Sequence, residues 1–124
     1  MLFDTTQLAL ERSIQGAEQR HRALAANLAN AETPGYQRVD VDFHGALAAA
    51  MQPSRGAAAV RSSLDGASFS PQADGSAGAV RADGSTVDVD AESAKLAANA
   101  LDQQAAVQVA QTRLHIIESA IGVR

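Results

Sequence analysis

Apolar and small residues recur near the start of the chain at Phe3, Leu10, Ile14, Ala17, Leu24, Leu28 and Ala31. With His21 in the remaining slot, the steps from Leu10 onward run 4, 3, 4, 3, 4, 3. That is a heptad seam, the pattern of a helix that lays a narrow stripe on partner helices. Asp4 followed three residues later by Gln7 predicts a capping box at its start. A helix from Thr5 to Ala31 is about 40 Å long at 1.5 Å per residue. The other end of the chain repeats the design. Leu96, Ala100, Gln103, Val107, Ala110, Leu114, Ile117 and Ile121 run 4, 3, 4, 3, 4, 3, 4. Asp88 or Asp90 can cap this helix, Glu92 suits its first turn, and Gly122 is a stop signal.

Between the two helices the pattern changes. Residues 36–43, YQRVDVDF, alternate apolar and charged positions and suit an extended segment. Phe43, Ala46, Leu47, Ala50 and Met51 then form one short helical face behind Asp42. From Pro53 to Ser85 the chain is rich in Gly, Ser, Ala and Asp, Pro53 and Pro71 act as breakers, and periodicity disappears. A flexible loop is the expectation, with room for short strands near Val60 and Val80. The chain thus divides into an N-terminal helix and turn over 1–36, an extended segment and short helix over 37–51, a loop over 52–86 and a C-terminal helix over 87–124. The fold class is all-α, a coiled-coil-like pair or bundle of long terminal helices in one domain.

The first helix ends abruptly at ANLANAETPGYQ, residues 26–37. Thr33 precedes a proline, which pushes it out of the α region. Pro34 and Gly35 then fit the two central positions of a type II turn. Asn27 and Asn30 share a helical face beside Leu24 and Leu28. Their amides suit bonds to the turn, bonds to a neighbouring subunit, or plain solvation.

Composition sharpens this picture. Hydrophobic content is 46 %, but alanine supplies much of it, and aromatic content is 3 %. Alanine buries little area, so a monomer has a thin core and is marginal alone. Net charge is −4 without a basic stripe, which argues against nucleic acid. The absence of cysteine excludes disulfides and thiolate chemistry. The first residues, MLFDTTQLALERS, lack the features of a cleaved signal, and no apolar run is long enough to span a bilayer.

Candidate chemistry is sparse. His21, His44 and His115 fall in no ligand spacing, and packing histidines are the expectation. The pairs Asp40/Asp42 and Asp88/Asp90 lack the glycine and glutamate of a calcium loop, and helix capping accounts for them. No glycine run joins a lysine to cradle phosphate, and Ser62, Ser63 and Thr86 have no evident base. No catalytic, cofactor-binding or metal site is expected, nor a small-molecule substrate. An amphipathic helix for a membrane needs a basic face, and the first helix has Arg12, Arg20 and Arg22 against Glu11 and Glu18.

The quoted stretch resembles the N-terminal signature of the bacterial flagellar axial proteins, roughly N-x-x-N-x-x-T-x-G-Y. Asn27, Asn30, Thr33, Gly35 and Tyr36 fill its fixed positions. Within that family the short proximal rod subunits are the better match. They continue with an R-x-D-V-D-F-like run, here Arg38, Asp40, Val41, Asp42 and Phe43. They also carry a D-G-x-x-V-D-x-D-x-E run, filled by Asp83, Gly84, Val87, Asp88, Asp90 and Glu92. The resemblance covers roughly residues 1–51 and 83–122. Gln103 departs from it, since a large group is common there; it marks either a polar layer or a reshaped contact.

The resemblance implies a structural subunit of the flagellar basal-body rod, exported by the type III apparatus without a cleaved signal and assembled in the periplasmic space. Implied partners are copies of itself, the rod proteins FlgC, FlgF and FlgG, the rod-base adaptor FliE and the MS-ring protein FliF. The expected subunit contacts are the seam residues Leu10, Ile14, Leu24, Leu28, Val107, Leu114, Ile117 and Ile121. Asn27, Asn30, Pro34, Gly35 and Tyr36 are expected to set the docking turn. Two alternatives stand beside this: another rod subunit of the FlgC kind, and a soluble helical-hairpin chaperone of the export system.

Overall fold

The computed structural model describes residues 4–52, 56–75 and 80–122; Phe3, placed in the first seam, and Pro53, read as a breaker, lie outside them. In chain order the elements are α1 (Thr5–Ala29), β1 (Val39–Asp40), α2 (Phe43–Ala50), α3 (Gly56–Asp65), β2 (Gln72–Ala73) and α4 (Val89–Ala120). The chain is therefore all-α, with one tiny antiparallel sheet that pairs Val39 with Ala73 and Asp40 with Gln72.

The caps follow from side chains at the expected places. Asp4 accepts from the Thr6 and Gln7 amides at 3.0 Å each. The return half of the capping box is absent, because the Gln7 amide turns to Glu11 instead. Asp88 caps α4 through the Asp90 and Ala91 amides. Asp42 caps α2 through Gly45. Beyond α4, Gly122 takes a positive φ of 72°, the conformation that suits glycine after a helix end.

The terminal helices run antiparallel, as three side-chain ties demonstrate. Arg113 bonds Asp4 at one end, Asn99 donates to the Ala17 carbonyl mid-way at 2.8 Å, and Asn27 donates to Glu92 at the other end. The buried faces are rotated from the predicted seams. On α1 the inner stripe is Gly16, Ala17, Ala23, Leu24 and Asn27, so His21 is exposed rather than in the seam. On α4 the buried positions are Glu92, Asn99 and Ala106, seven residues apart. Leu96, Ala100, Gln103, Val107, Ala110 and Ile117 flank that line half-buried, while Leu114 and Ile121 are exposed. Reading by hydropathy alone passes over Glu92 and Asn99, which go inside because each finds a partner there.

Phe43 anchors one apolar cluster with Ala17, Ala23 and Val41. It lies so close to α1 that a Cβ on Gly16 would come within 2.5 Å of its own Cβ. A glycine inside a helix costs up to about 1 kcal/mol relative to alanine, and here that close approach explains it.

The middle of the chain corrects an expectation. Gly56–Asp65 is helical where a loop was expected, and Val60 lies in that helix, not in a strand. Val60 and Leu64 are one turn apart and pack with Ala50, Leu8, Ala9 and Leu47. Arg12 reaches across to the Asp65 carbonyl at 2.8 Å and satisfies the helix end. Ten residues with two sizeable apolar side chains carry too little periodicity to recognise, and such a helix depends on tertiary packing. The strand at Gln72–Ala73 falls between the positions suggested at Val60 and Val80; Val80 is exposed and outside any strand.

Candidate functional site

The end of α1, the turn after it and the hook before α4 form one joint. Asn30 closes α1: its side chain donates to the Ala26 carbonyl at 2.8 Å, and its own carbonyl accepts from Thr33. Across the turn Tyr36 donates its amide to the Thr33 carbonyl at 3.2 Å, with Gly35 at a φ of 71°. That is the geometry a Pro-Gly pair dictates. Opposite lies a second tight hook, where Gly84 and Arg81 close a turn at 2.9 Å and Gly84 has a φ of 80°.

These two turns lock backbone to backbone. Gly35 donates to the Asp83 carbonyl at 2.9 Å and Thr86 donates to the Tyr36 carbonyl at 3.1 Å. The Arg38 amide donates to the Thr86 hydroxyl at 2.9 Å. Gln37 bonds the Gly84 carbonyl, and Arg81 bonds the Ala31 carbonyl just past the end of α1. The run from Asn27 to Phe43 and the run from Asp83 to Glu92 are thus two halves of one structure.

Asn27 sits at its centre with no solvent exposure. Its amide donates to the Val39 carbonyl and to Glu92 Oε2, both at 2.7 Å. Its oxygen accepts from the Val39 amide at 3.0 Å and from the Tyr36 hydroxyl at 3.4 Å. Both asparagines therefore bond within the chain. Asn27, expected among the subunit contacts, is fully used inside, and Leu24 is likewise fully buried.

A balanced charge cluster surrounds this centre. The buried Arg38 lies 3.1 Å from Glu92 and 2.8 Å from Asp74. Arg20 grips Asp40 with two bonds of 2.8 and 3.0 Å, and Lys95 lies within 3.9 Å of Asp40 and 3.8 Å of Glu92. Burial alone pushes the Asp40 carboxyl up; the Arg20 bonds, the Val41 amide and the nearby cations more than reverse this and hold it below 3.8. The Asp40 bond in turn raises Arg20. Sequence reasoning overlooked Arg38, Glu92 and Asn99 as interior residues. The signal available was the seven-residue spacing of Glu92, Asn99, Ala106 and Arg113.

The remaining expected contacts are scattered. Leu10, Ile14, Leu28, Asn30, Tyr36, Val107 and Ile117 are half-buried, whereas Pro34, Gly35, Leu114 and Ile121 are exposed. The histidines, expected to be packing residues, are all exposed; His44 stacks on Phe43 and lies 3.4 Å from Asp102. Among the described residues no cluster of His, Asp or Glu could hold a metal ion, and no helix is long and apolar enough to cross a membrane. A cleft of about 350 Å³ lies over Arg20, Asp40, Asp42 and Asp74. Its carboxylates are already engaged, by Arg20, by the α2 amide and by Arg38.

Comparison with known proteins shows what part of the chain is similar to. Over 39 residues the chain is 56 % identical to the flagellar basal body rod protein FlgB of Escherichia coli K12, covering 32 % of this chain and 28 % of that relative. The chain resembles FlgB. The FlgB of Salmonella typhimurium is 54 % identical over 37 residues, 30 % of this chain and 27 % of its own length. The FlgB of Yersinia ruckeri is 49 % identical over 37 residues. The matched stretch spans less than a third of the length of these FlgB relatives. No protein-family model matches the chain.

Proposed function

We propose that this chain is a structural subunit of the bacterial flagellar basal-body rod, of the FlgB kind. The observation that carries the reading is the 39-residue stretch 56 % identical to FlgB. Its subunits stack head to tail, since a heterologous contact that does not close yields a helical shaft. The shaft transmits torque and continues the export channel. Copies of this chain, the rod proteins FlgC, FlgF and FlgG, the adaptor FliE and the MS-ring protein FliF are its neighbours. It reaches the periplasmic space through the type III apparatus, and its role is mechanical rather than catalytic.

Two physical features support this. The α4 helix exposes Leu101, Val109, Leu114 and Ile116, with Ile121 just beyond it, while packing its other side on α1, and a helix apolar on both sides finishes its burial elsewhere. The joint presents Pro34 and Gly35 to solvent on a rigid base, as a docking turn requires. The proposed contacts are these exposed groups together with Leu10, Ile14, Leu28, Val107 and Ile117.

Deleting the gene and imaging basal bodies by electron microscopy tests the reading. Rings without a rod are expected, in non-swimming cells restored by the intact gene and not by a Leu28→Asp copy. Normal rods and swimming in the deletion strain would overturn it.

A further inference from the structure

We propose that α3 is a detachable cover: it lifts off α1 and α2 as one unit and bares Leu8, Ala9, Leu47 and Ala50, while the α1–α4 pair and the joint stay closed. This concerns the free subunit and does not depend on the rod reading.

The helix does not stand alone. Of its ten residues only Val60 and Leu64 are buried, and Ala57, Ala58, Ala59, Arg61 and Ser62 are exposed. An isolated helix of this length is marginal in water. Its ends give no help. The first turn carries no acid, and the last turn carries Asp65 in place of a base, the wrong sign for the negative end of the helix dipole. Glycines stand at both edges, Gly56 with a φ of 73° and Gly66 directly after Asp65. The segment is therefore helical only while docked, so undocking and unwinding are one event.

What holds it down is small and partly offset. Val60 and Leu64 supply the apolar contact, with Ala50, Leu8, Ala9 and Leu47 beneath. Arg12 corrects the charge of the helix end through the Asp65 carbonyl at 2.8 Å and its carboxylate at 3.2 Å. That carboxylate is 75 % exposed, and an ion pair so placed contributes little. Against this, among the described residues the Arg12 Nε is buried with no hydrogen-bond acceptor. The closed state carries that cost, and water relieves it when α3 leaves.

The neighbours on both sides are held by other means, which bounds the unit. After α3, Phe69 packs against the Phe43 cluster, β2 pairs with β1, and Asp74 pairs with Arg38 through both side chain and backbone. Before it, α2 is anchored through Phe43. The ties that join α1 to α4, Asp4 with Arg113, Ala17 with Asn99 and Asn27 with Glu92, involve no residue of α3. Such a unit opens well before the whole chain unfolds. What it uncovers is one apolar patch drawn from two helices.

Thiol labelling of the full chain, with hydrogen exchange, tests the proposal. Because the chain lacks cysteine, a single introduced thiol reports the opening. Ala50→Cys places one beneath α3, and Ala17→Cys places one inside the Phe43 cluster, both at buried positions. Leu64→Ala should speed the reaction of Ala50→Cys with Ellman's reagent by roughly tenfold or more, and leave that of Ala17→Cys unchanged. Val60→Ala, a smaller truncation, should act in the same way by a smaller factor. In hydrogen exchange read by mass spectrometry, the α3 amides should exchange together and ahead of those of α1 and α4. Equal acceleration of both thiols would mean that α3 opens only with global unfolding. That result, an Ala50→Cys rate that ignores Leu64→Ala, or α3 amides as slow as those of α4 would each overturn the proposal.

Discussion

Asn27 and Glu92 meet side chain to side chain at 2.7 Å, both buried, across 65 residues of sequence. Asn27 belongs to the run that ends the first helix, and Glu92 to the run that opens the last. Their contact makes the two runs one object and fixes where α4 begins relative to α1. Because Asn27 also holds both backbone groups of Val39, the entry of β1 hangs on the same side chain.

Replacing Asn27 should therefore cost more than one hydrogen bond. Asn27→Ala leaves the Val39 amide and carbonyl and one Glu92 oxygen without their partner. A buried polar group left unsatisfied costs about 1–3 kcal/mol, so urea denaturation should show a loss of at least that order. Asn27→Asp, nearly identical in shape, sets a carboxylate against Glu92. It should be worse than alanine at neutral pH and recover part of the loss as the solution is acidified. Equal behaviour of the two variants at all pH values would remove Glu92 from the account.

Gly16→Ala tests the contact between α1 and Phe43. Alanine gains up to about 1 kcal/mol of helix propensity, but its Cβ would meet the Phe43 Cβ at 2.5 Å. Overpacking of this kind typically costs about 1–3 kcal/mol, so the net change should be destabilising in thermal melts. In a Phe43→Leu background the penalty should shrink, and a double-mutant cycle measures the coupling directly.

Acid should loosen the joint from the Asp40 side. In the folded chain the Asp40 carboxyl titrates below its ordinary 3.8, as does Asp4, held down by the Gln7 amide and Arg113. A carboxyl lowered by folding contributes stability that is complete above its unfolded pKa and lost as pH falls through the folded one. The urea midpoint should accordingly fall with pH below the ordinary carboxylate range. Asp40→Asn should lower stability at neutral pH and flatten that acid limb, because the variant has nothing there to protonate.

Much of this fold is legible in the residues, and the exceptions share a cause. Asp4 and Asp88 announce their helices because capping is local chemistry, and Pro34-Gly35 announces its turn for the same reason. Apolar spacing identifies the helices but leaves the orientation of α4 short by Glu92 and Asn99, and it passes over Arg38 in the segment between α1 and β1. Those side chains are inside because partners far along the chain satisfy them, information that no window around each residue holds. The α3 helix escaped notice because Val60 and Leu64 acquire meaning only against Leu8 and Ala9. His21 fell in a predicted seam slot and is exposed, since the true stripe turns toward Gly16, Ala23 and Asn27.

Asn99 offers the last test, of register rather than strength. It is fully buried between the terminal helices, donates to the Ala17 carbonyl, and its own oxygen has no partner. An amide half-satisfied in an interior weakens it, whereas an apolar group of similar size fills the space without the penalty. Asn99→Leu should therefore leave the melting temperature unchanged or raise it, while Asn99→Ala lowers it by opening a cavity. What leucine removes is the one polar pin midway along an otherwise alanine-rich contact, and a buried amide of this kind fixes register in helix pairs. With cysteines at Asp4 and Arg113, which pair in the native register across the length of the arginine side chain, linkage by a short bis-maleimide should slow in the Asn99→Leu background relative to Asn99. Unchanged closure would mean that the end ties, Asn27 with Glu92 and the joint around them, set the register alone.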